Sequence, residues 1–105
     1  MSKVLVTSAL PYINGVLHLG HMVGCLLPSD VYARFMRMMG NEVLHIGGTD
    51  EHGTTSEVGA MKAGMGVKDY CDMFYKRHAQ IYSDFRLAFD YFGRTSSEEN
   101  KEATY

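Results

Sequence analysis

Two short apolar runs with strand chemistry, "KVLVTS" at residues 3–8 and "NEVLHIGG" at 41–48, bracket one stretch of helical spacing. That order constrains the fold more than any other feature of the chain. β-Branched and other apolar residues in runs this short, ended by turn-forming residues, fit buried strands. Between them Val23, Leu26, Leu27, Val31, Phe35, Met38 and Met39 recur at three- and four-residue intervals, and Gly40 supplies a stop. The spacing predicts a helix from about residue 19 to 39. It should kink or start afresh near Pro28, because proline costs about 3 kcal/mol inside a helix yet fits a first turn. Strand, helix, strand in that order implies parallel strands joined by a right-handed crossover.

The remainder continues the alternation. Thr54 with Glu57 predicts a capping box for a short helix to Ala63, closed by Gly64 and Gly66. Tyr70, Met73, Phe74, His78, Ile81, Tyr82 and Phe85 mark an amphipathic helix over 67–87 whose stripe should pack on the sheet. "FDYF" at 89–92 reads as a last short strand, and Ser96 with Glu99 as a second capping box. Glu98, Glu99 and Glu102 then form a solvated helix start. The fold class is therefore α/β, a mostly parallel sheet with flanking helices. Such sheets bind ligands at the carboxyl ends of their strands, where both "LPYINGVLHLGH" and "GTDEHG" fall.

With 105 residues the chain has room for one core. Its formal net charge of -2 excludes a bulk electrostatic pull on nucleic-acid phosphates, so any RNA contact is local or borne elsewhere. Cys25 and Cys71 lie in helix-like stretches and read as reduced thiols, and the eight methionines as core filler. The apolar runs fall short of the roughly 20 residues that span a bilayer, and "MSKVLV" lacks the pattern of a secretory signal. A cytoplasmic protein without membrane contact is expected.

At the rim, His18 and His21 sit three apart around Gly20, just where the loop "ALPYING" hands over to a helix. Imidazoles at that spacing turn to one side, where the unpaired N–H groups of a helix start also point, and glycine leaves room for a flat base or ribose. That is an anion site suited to a nucleoside triphosphate, with donors able to stabilise a phosphoryl group under attack. Taken by spacing alone, the pair equally fits helix capping or packing. A third option joins Cys25 to the two histidines as metal ligands, but it lacks a fourth donor and any Cys-x-x-Cys.

Four segments carry a resemblance over essentially the whole chain: "TSALPYINGVLHLGHMVG", "LPSDVYARFMRMMGNEV", "GTDEHGT" and "GRTSSEEN". In that order they resemble methionyl-tRNA synthetases, class I aminoacyl-tRNA synthetases whose first signature is His-x-Gly-His. The resemblance implies the first half of a Rossmann-like nucleotide-binding fold. It also implies activation of methionine with ATP, bound as its magnesium complex, to methionyl-adenylate for transfer to tRNA. His18 and His21 would be the catalytic residues, binding the triphosphate and stabilising attack on the α-phosphorus, with Gly20 against the nucleotide and Tyr12 and Asn14 completing the ATP contacts. Ala9, Leu10 and Tyr12 would line the methionine pocket, and Asp50 would hold the α-ammonium. Other readings stand beside these: Tyr12 as an ordinary rim aromatic, Asn14 as a turn residue, Asp50 as a cap for the helix near Thr54. His52 stays outside the catalytic set; His45 and His78 are packed or surface residues, and Asp30 is structural.

Members of this family are several times longer. Residues 1–105 are therefore expected to be the amino-terminal portion of a catalytic domain. A connecting region that binds zinc, the second half with its Lys-Met-Ser-Lys-Ser-type loop, and the anticodon-binding domain would all lie outside it. Turnover would then need a complementary carboxyl-terminal half. Against this ligase fragment stand a non-catalytic binding or assembly module built on the same half-fold, and a small nucleotidyltransferase sharing the histidine site.

Overall fold

Residue pairing between strands establishes the architecture. A computed structural model describes residues 1–13, 15 and 17–104. β1 (Lys3–Thr7) runs parallel to β2 (Glu42–Thr49), in a register that sets Leu5 beside Leu44 and Val6 beside His45. β2 in turn runs parallel to β3 (Tyr91–Arg94), with Ile46 beside Tyr91 and Thr49 beside Arg94. Sheet order is β1-β2-β3. Side chains alternate across a strand, so the two faces separate cleanly. Val6 and His45 are buried, whereas Leu5 is 63% and Leu44 49% exposed.

The first crossover starts with α1 (Leu19–His21), passes through one π-helical turn at Met22–Leu26, and continues as α2 (Leu27–Met38). The predicted break at Pro28 takes this form. Leu27 N–H reaches back to the carbonyl of Met22, and the widened turn delivers Pro28 to the first turn of α2, where a missing N–H does no harm. Met22 and Leu26 pack on Tyr82 of α4 (Val67–Asp84), with Leu17, Phe89 and Phe92 against them. α3 (Thr54–Ala63) joins α4 over a second cluster of Ile13, Ala60, Tyr70 and Cys71, and α5 (Glu98–Thr104) ends the described chain.

Buried polar groups tie the layers together. Asp30, 5% exposed, accepts from the Ala88 N–H at 2.7 Å and from Arg34 Nε at 2.7 Å, and lies 3.9 Å from the His45 ring. The His45 ring stacks on Phe89 with centroids 4.4 Å apart. Asp30 is structural, and His45 is packed, as the sequence suggests.

Several expectations need correction. Pairing of the last strand begins at Tyr91 rather than Phe89, because Phe89 turns into the core and Asp90 closes on β2, its N–H donating to the His45 carbonyl at 2.8 Å. Neither predicted capping box forms. Gly53 caps α3 with no side-chain bond, and at α5 Ser97 Oγ, not Ser96, accepts the Asn100 N–H. α4 stops at Asp84, with Arg86 in the left-handed region at φ 56° and the Leu87 N–H returning to the Tyr82 carbonyl. Methionine is only partly core filler: Met22 is buried, but Met38 and Met61 stand in solvent.

Tight packing under β2 gives a direct test. A Cβ built on Gly47 would meet the Phe89 ring at 2.3 Å, while one on Gly24 meets nothing within 4 Å. Gly47→Ala should destabilise the chain by about 1–3 kcal/mol through overpacking. Gly24→Ala, inside a helix, should be neutral or stabilising by about 0.5–1 kcal/mol. Urea midpoints of the two variants check this.

Candidate functional site

The carboxyl ends of β1 and β2 open into two loops, and a single isolated bridge closes them on each other. Tyr12 and Asp50 pair in parallel: Asp50 N–H donates to the Pro11 carbonyl at 2.9 Å and Ile13 N–H to the Asp50 carbonyl at 3.1 Å. Pro11 can offer only its carbonyl, which is what this bridge uses. Ile13, fully buried, plugs the loop into the α3–α4 cluster, and Ser56 Oγ on α3 donates to its carbonyl at 3.0 Å. Tyr12 is thereby left 53% exposed at the rim. The Asp50 carboxylate accepts from His52 N–H at 3.3 Å and does not cap α3.

His18, Gly20 and His21 form the second group. His18 caps α1: its Nδ1 accepts the Gly20 N–H at 3.0 Å, and His21 Nδ1 accepts the His18 N–H at 3.2 Å. Capping and an anion site turn out to be compatible. With each Nδ1 accepting, the proton of a neutral ring sits on Nε2, so each imidazole in that form still has an N–H to donate. The rings lie 4.0 Å apart, tilted by 36°. Burial first, then the repulsion that a protonated His21 meets from His18 and His78, holds His21 below its ordinary value near 6.5. Gly20 has a local reason to be glycine, since a Cβ there would meet the His18 ring at 2.7 Å.

α4 joins the two groups. His78 is fully buried, and its Nε2 lies 2.9 Å from the Gly15 carbonyl, between the Tyr12 bridge and the His18 cap. Burial lowers its pKa, with the Gly15 carbonyl acting in the opposite direction. Of the residues singled out from the sequence, the structure thus brings Tyr12 to Asp50 and His18 to Gly20 and His21. Asn14 lies outside the described residues. Leu10 lines a cleft of about 330 Å³ with Ile46, Gly48, Tyr91, Gly93 and Ala103; Ala9, Tyr12 and Asp50 do not line it. Cys25 turns its Sγ to the His21 carbonyl at 3.6 Å, and Cys71 is buried, with its thiol pushed up chiefly by that burial. Among the described residues no group of three or more His, Cys, Asp or Glu is placed to hold a metal, and no helix is long and apolar enough to cross a membrane.

Sequence reasoning missed Glu51, Arg94, Thr95 and Ser96, which clamp the Asp50 loop from the side opposite to Tyr12. Glu51 is 4% exposed and takes a fork of bonds from Arg94 Nε at 3.0 and 2.9 Å. Both motifs were visible, yet nothing short of the Thr49–Arg94 register shows that they meet.

Parallel strands whose carboxyl-end loops carry a carboxylate and paired imidazoles at a helix start define an α/β fold of the class that takes ligands at that rim. Comparison with known proteins narrows this. The family model described as "tRNA synthetases class I (M)" matches residues 4–105, and the chain belongs to that family. It is 56% identical to methionine–tRNA ligase 1 of Acaryochloris marina over 102 residues and 53% identical to the methionine–tRNA ligase of Streptomyces avermitilis over 104. These alignments cover 97% and 99% of the chain, which spans 18% of the length of either relative. The solved Mycobacterium tuberculosis methionyl-tRNA synthetase in complex with methionyl-adenylate superimposes with a TM-score of 0.95 at 30% identity, covering 99% of this chain and 20% of that one. The half-fold is thus Rossmann-like and of the class I type.

The capping geometry fixes an observable. Imidazole nitrogen shifts should report the Nε2–H tautomer for the neutral rings of His18 and His21, with His21 titrating below 6.5. His18→Gln should raise the His21 value part of the way, since burial is the larger cause. A protonated Nδ1 on either neutral ring would contradict the arrangement.

Proposed function

We propose that the chain is the amino-terminal catalytic segment of a cytoplasmic methionine–tRNA ligase, activating methionine with ATP for transfer to tRNA. One observation carries the reading: the bridge between Tyr12 and Asp50 joins two segments that the family resemblance gives to one substrate. Family membership and relatives named as methionine–tRNA ligases support it.

On this reading Asp50 holds the α-ammonium of methionine, leaving the substrate carboxylate free to attack. Ala9 and Leu10 border the amino acid, and Tyr12 covers its side chain and reaches the nucleotide. Asn14 and Gly20 complete the ATP contacts. A carboxylate oxygen of methionine bonds to the α-phosphorus, the bond from that phosphorus to the bridging oxygen breaks, and pyrophosphate leaves with its magnesium. His18 and His21 donate from Nε2 to phosphate oxygens as charge builds there. Neutral rings suit this role, because no proton has to be released before or after the step.

A complementary carboxyl-terminal segment belongs to the same proposal, with the zinc-binding region and tRNA contacts outside residues 1–105. Two features fit such a partner. β1 is an edge strand among the described residues, and one sheet face exposes Leu5, Leu44 and Tyr91. The same exposure is what favours the second reading, an assembly module without catalysis.

Methionine-dependent exchange of pyrophosphate with ATP separates the two. Exchange should appear when the chain is combined with a complementary carboxyl-terminal portion and not with the chain alone. His18→Ala or His21→Ala should lower kcat about 100-fold with a smaller effect on methionine binding, whereas Asp50→Ala should raise the methionine KM first. A stable homodimer with no exchange in the mixture would favour the module.

A further inference from the structure

We propose that Arg94 is a positioning residue for the methionine site: paired with the buried Glu51, it fixes the segment 49–52 that presents Asp50. The inference rests on the reading of Asp50 as the ammonium partner.

The segment is held from two sides. On one, the backbone of Asp50 is bonded to Pro11 and Ile13. On the other, every neighbour of Asp50 is tied to residues 94–96. Thr95 N–H donates to the Thr49 carbonyl at 3.1 Å, Glu51 N–H donates to Thr95 Oγ1 at 2.8 Å, and His52 Nε2 lies 3.1 Å from the Thr95 carbonyl. At the centre, the Glu51 carboxylate receives both Arg94 Nε and Nη2, the latter at 2.5 Å, and the Ser96 hydroxyl at 2.7 Å. Arg94 is itself fixed on α4, by Nη2 to Asp72 at 2.6 Å and by stacking 4.5 Å over the Tyr75 ring. A planar fork meets two carboxylates and an aromatic face at once, which a lysine cannot do.

The consequence is a division of labour between adjacent acids. Glu51 turns inward and is consumed by the clamp, with its side chain 1% exposed. The Asp50 carboxylate is left with one hydrogen bond among the described residues, from the His52 N–H of its own loop, so it keeps acceptor capacity for an amine. The carboxylates raise Arg94 above its already high value, and Arg94 holds Asp72 below the usual carboxylate range.

The test compares the wild type with Arg94→Lys, and with Ser96→Ala as a milder variant should the first not fold. Amide hydrogen exchange is measured on the chain, and methionine-dependent pyrophosphate exchange on its mixture with a complementary carboxyl-terminal portion. Exchange at Asp50, Glu51 and His52 should quicken about tenfold in Arg94→Lys and about threefold in Ser96→Ala, with α2 amides changed less than about twofold. The methionine KM should rise by similar factors while the ATP KM and kcat hold. Uniform quickening of all amides, no local change, or equal shifts in both KM values would overturn the proposal. An inactive wild-type mixture would instead overturn the ligase reading, leaving the amide data to decide whether Arg94 fixes the segment.

Discussion

Everything at the rim depends on two backbone hydrogen bonds between the loop after β1 and the residue after β2. They are Asp50 N–H to the Pro11 carbonyl and Ile13 N–H to the Asp50 carbonyl. The regular ladder between β1 and β2 stops at Thr7 and Ile46, so without them the two loops would leave the sheet independently. With them, Ile13 reaches the α3–α4 cluster, Tyr12 faces outward, and the chain arrives at His18 from a fixed point. Each bond is worth only about 1 kcal/mol net, yet a buried Ile13 and a bonded Ser56 make the arrangement cooperative.

The sheet is lopsided, and that follows from sequence. Val6, His45 and Gly47 face the helices, where Asp30, Phe89 and Ser29 fill the space. Leu5, Leu44 and Tyr91 face away and stay exposed, as do Val23, Val31 and Phe35 on the outer side of the first crossover. A purely parallel sheet is normally covered on both faces. The apolar residues on these uncovered surfaces are the physical basis for proposing a complementary segment.

Period and turn chemistry made the elements readable. The runs at 3–8 and 41–48, the stripe from Tyr70 to Phe85 and the stop at Gly64 all sit where spacing places them, to within two or three residues. Caps were less legible: Gly53 takes the N-cap of α3 and puts Thr54 one position inside the helix, and a tertiary contact claims Ser96. Ser96 Oγ serves Glu51 instead of a helix end. Histidine roles needed coordinates too: the same spacing fits a cap and an anion site, and the structure has His18 capping with Nδ1 while leaving Nε2 as a donor. Glu51 and Arg94 were unreadable for a different reason. A buried acid looks like a surface one until the strand register brings its arginine to it.

In the proposed function two substrates are addressed by successive stretches of one loop, with the Tyr12–Asp50 bridge where they meet. The most direct measurement maps amide shifts of the isotope-labelled chain during separate titrations with L-methionine and a non-hydrolysable ATP analogue. Methionine should move residues 9, 10, 12, 13 and 50, the analogue should move 18–21, and Tyr12 should respond to both. Shifts confined to the outer side of α2, or both sets of residues moving in full with each ligand, would contradict it.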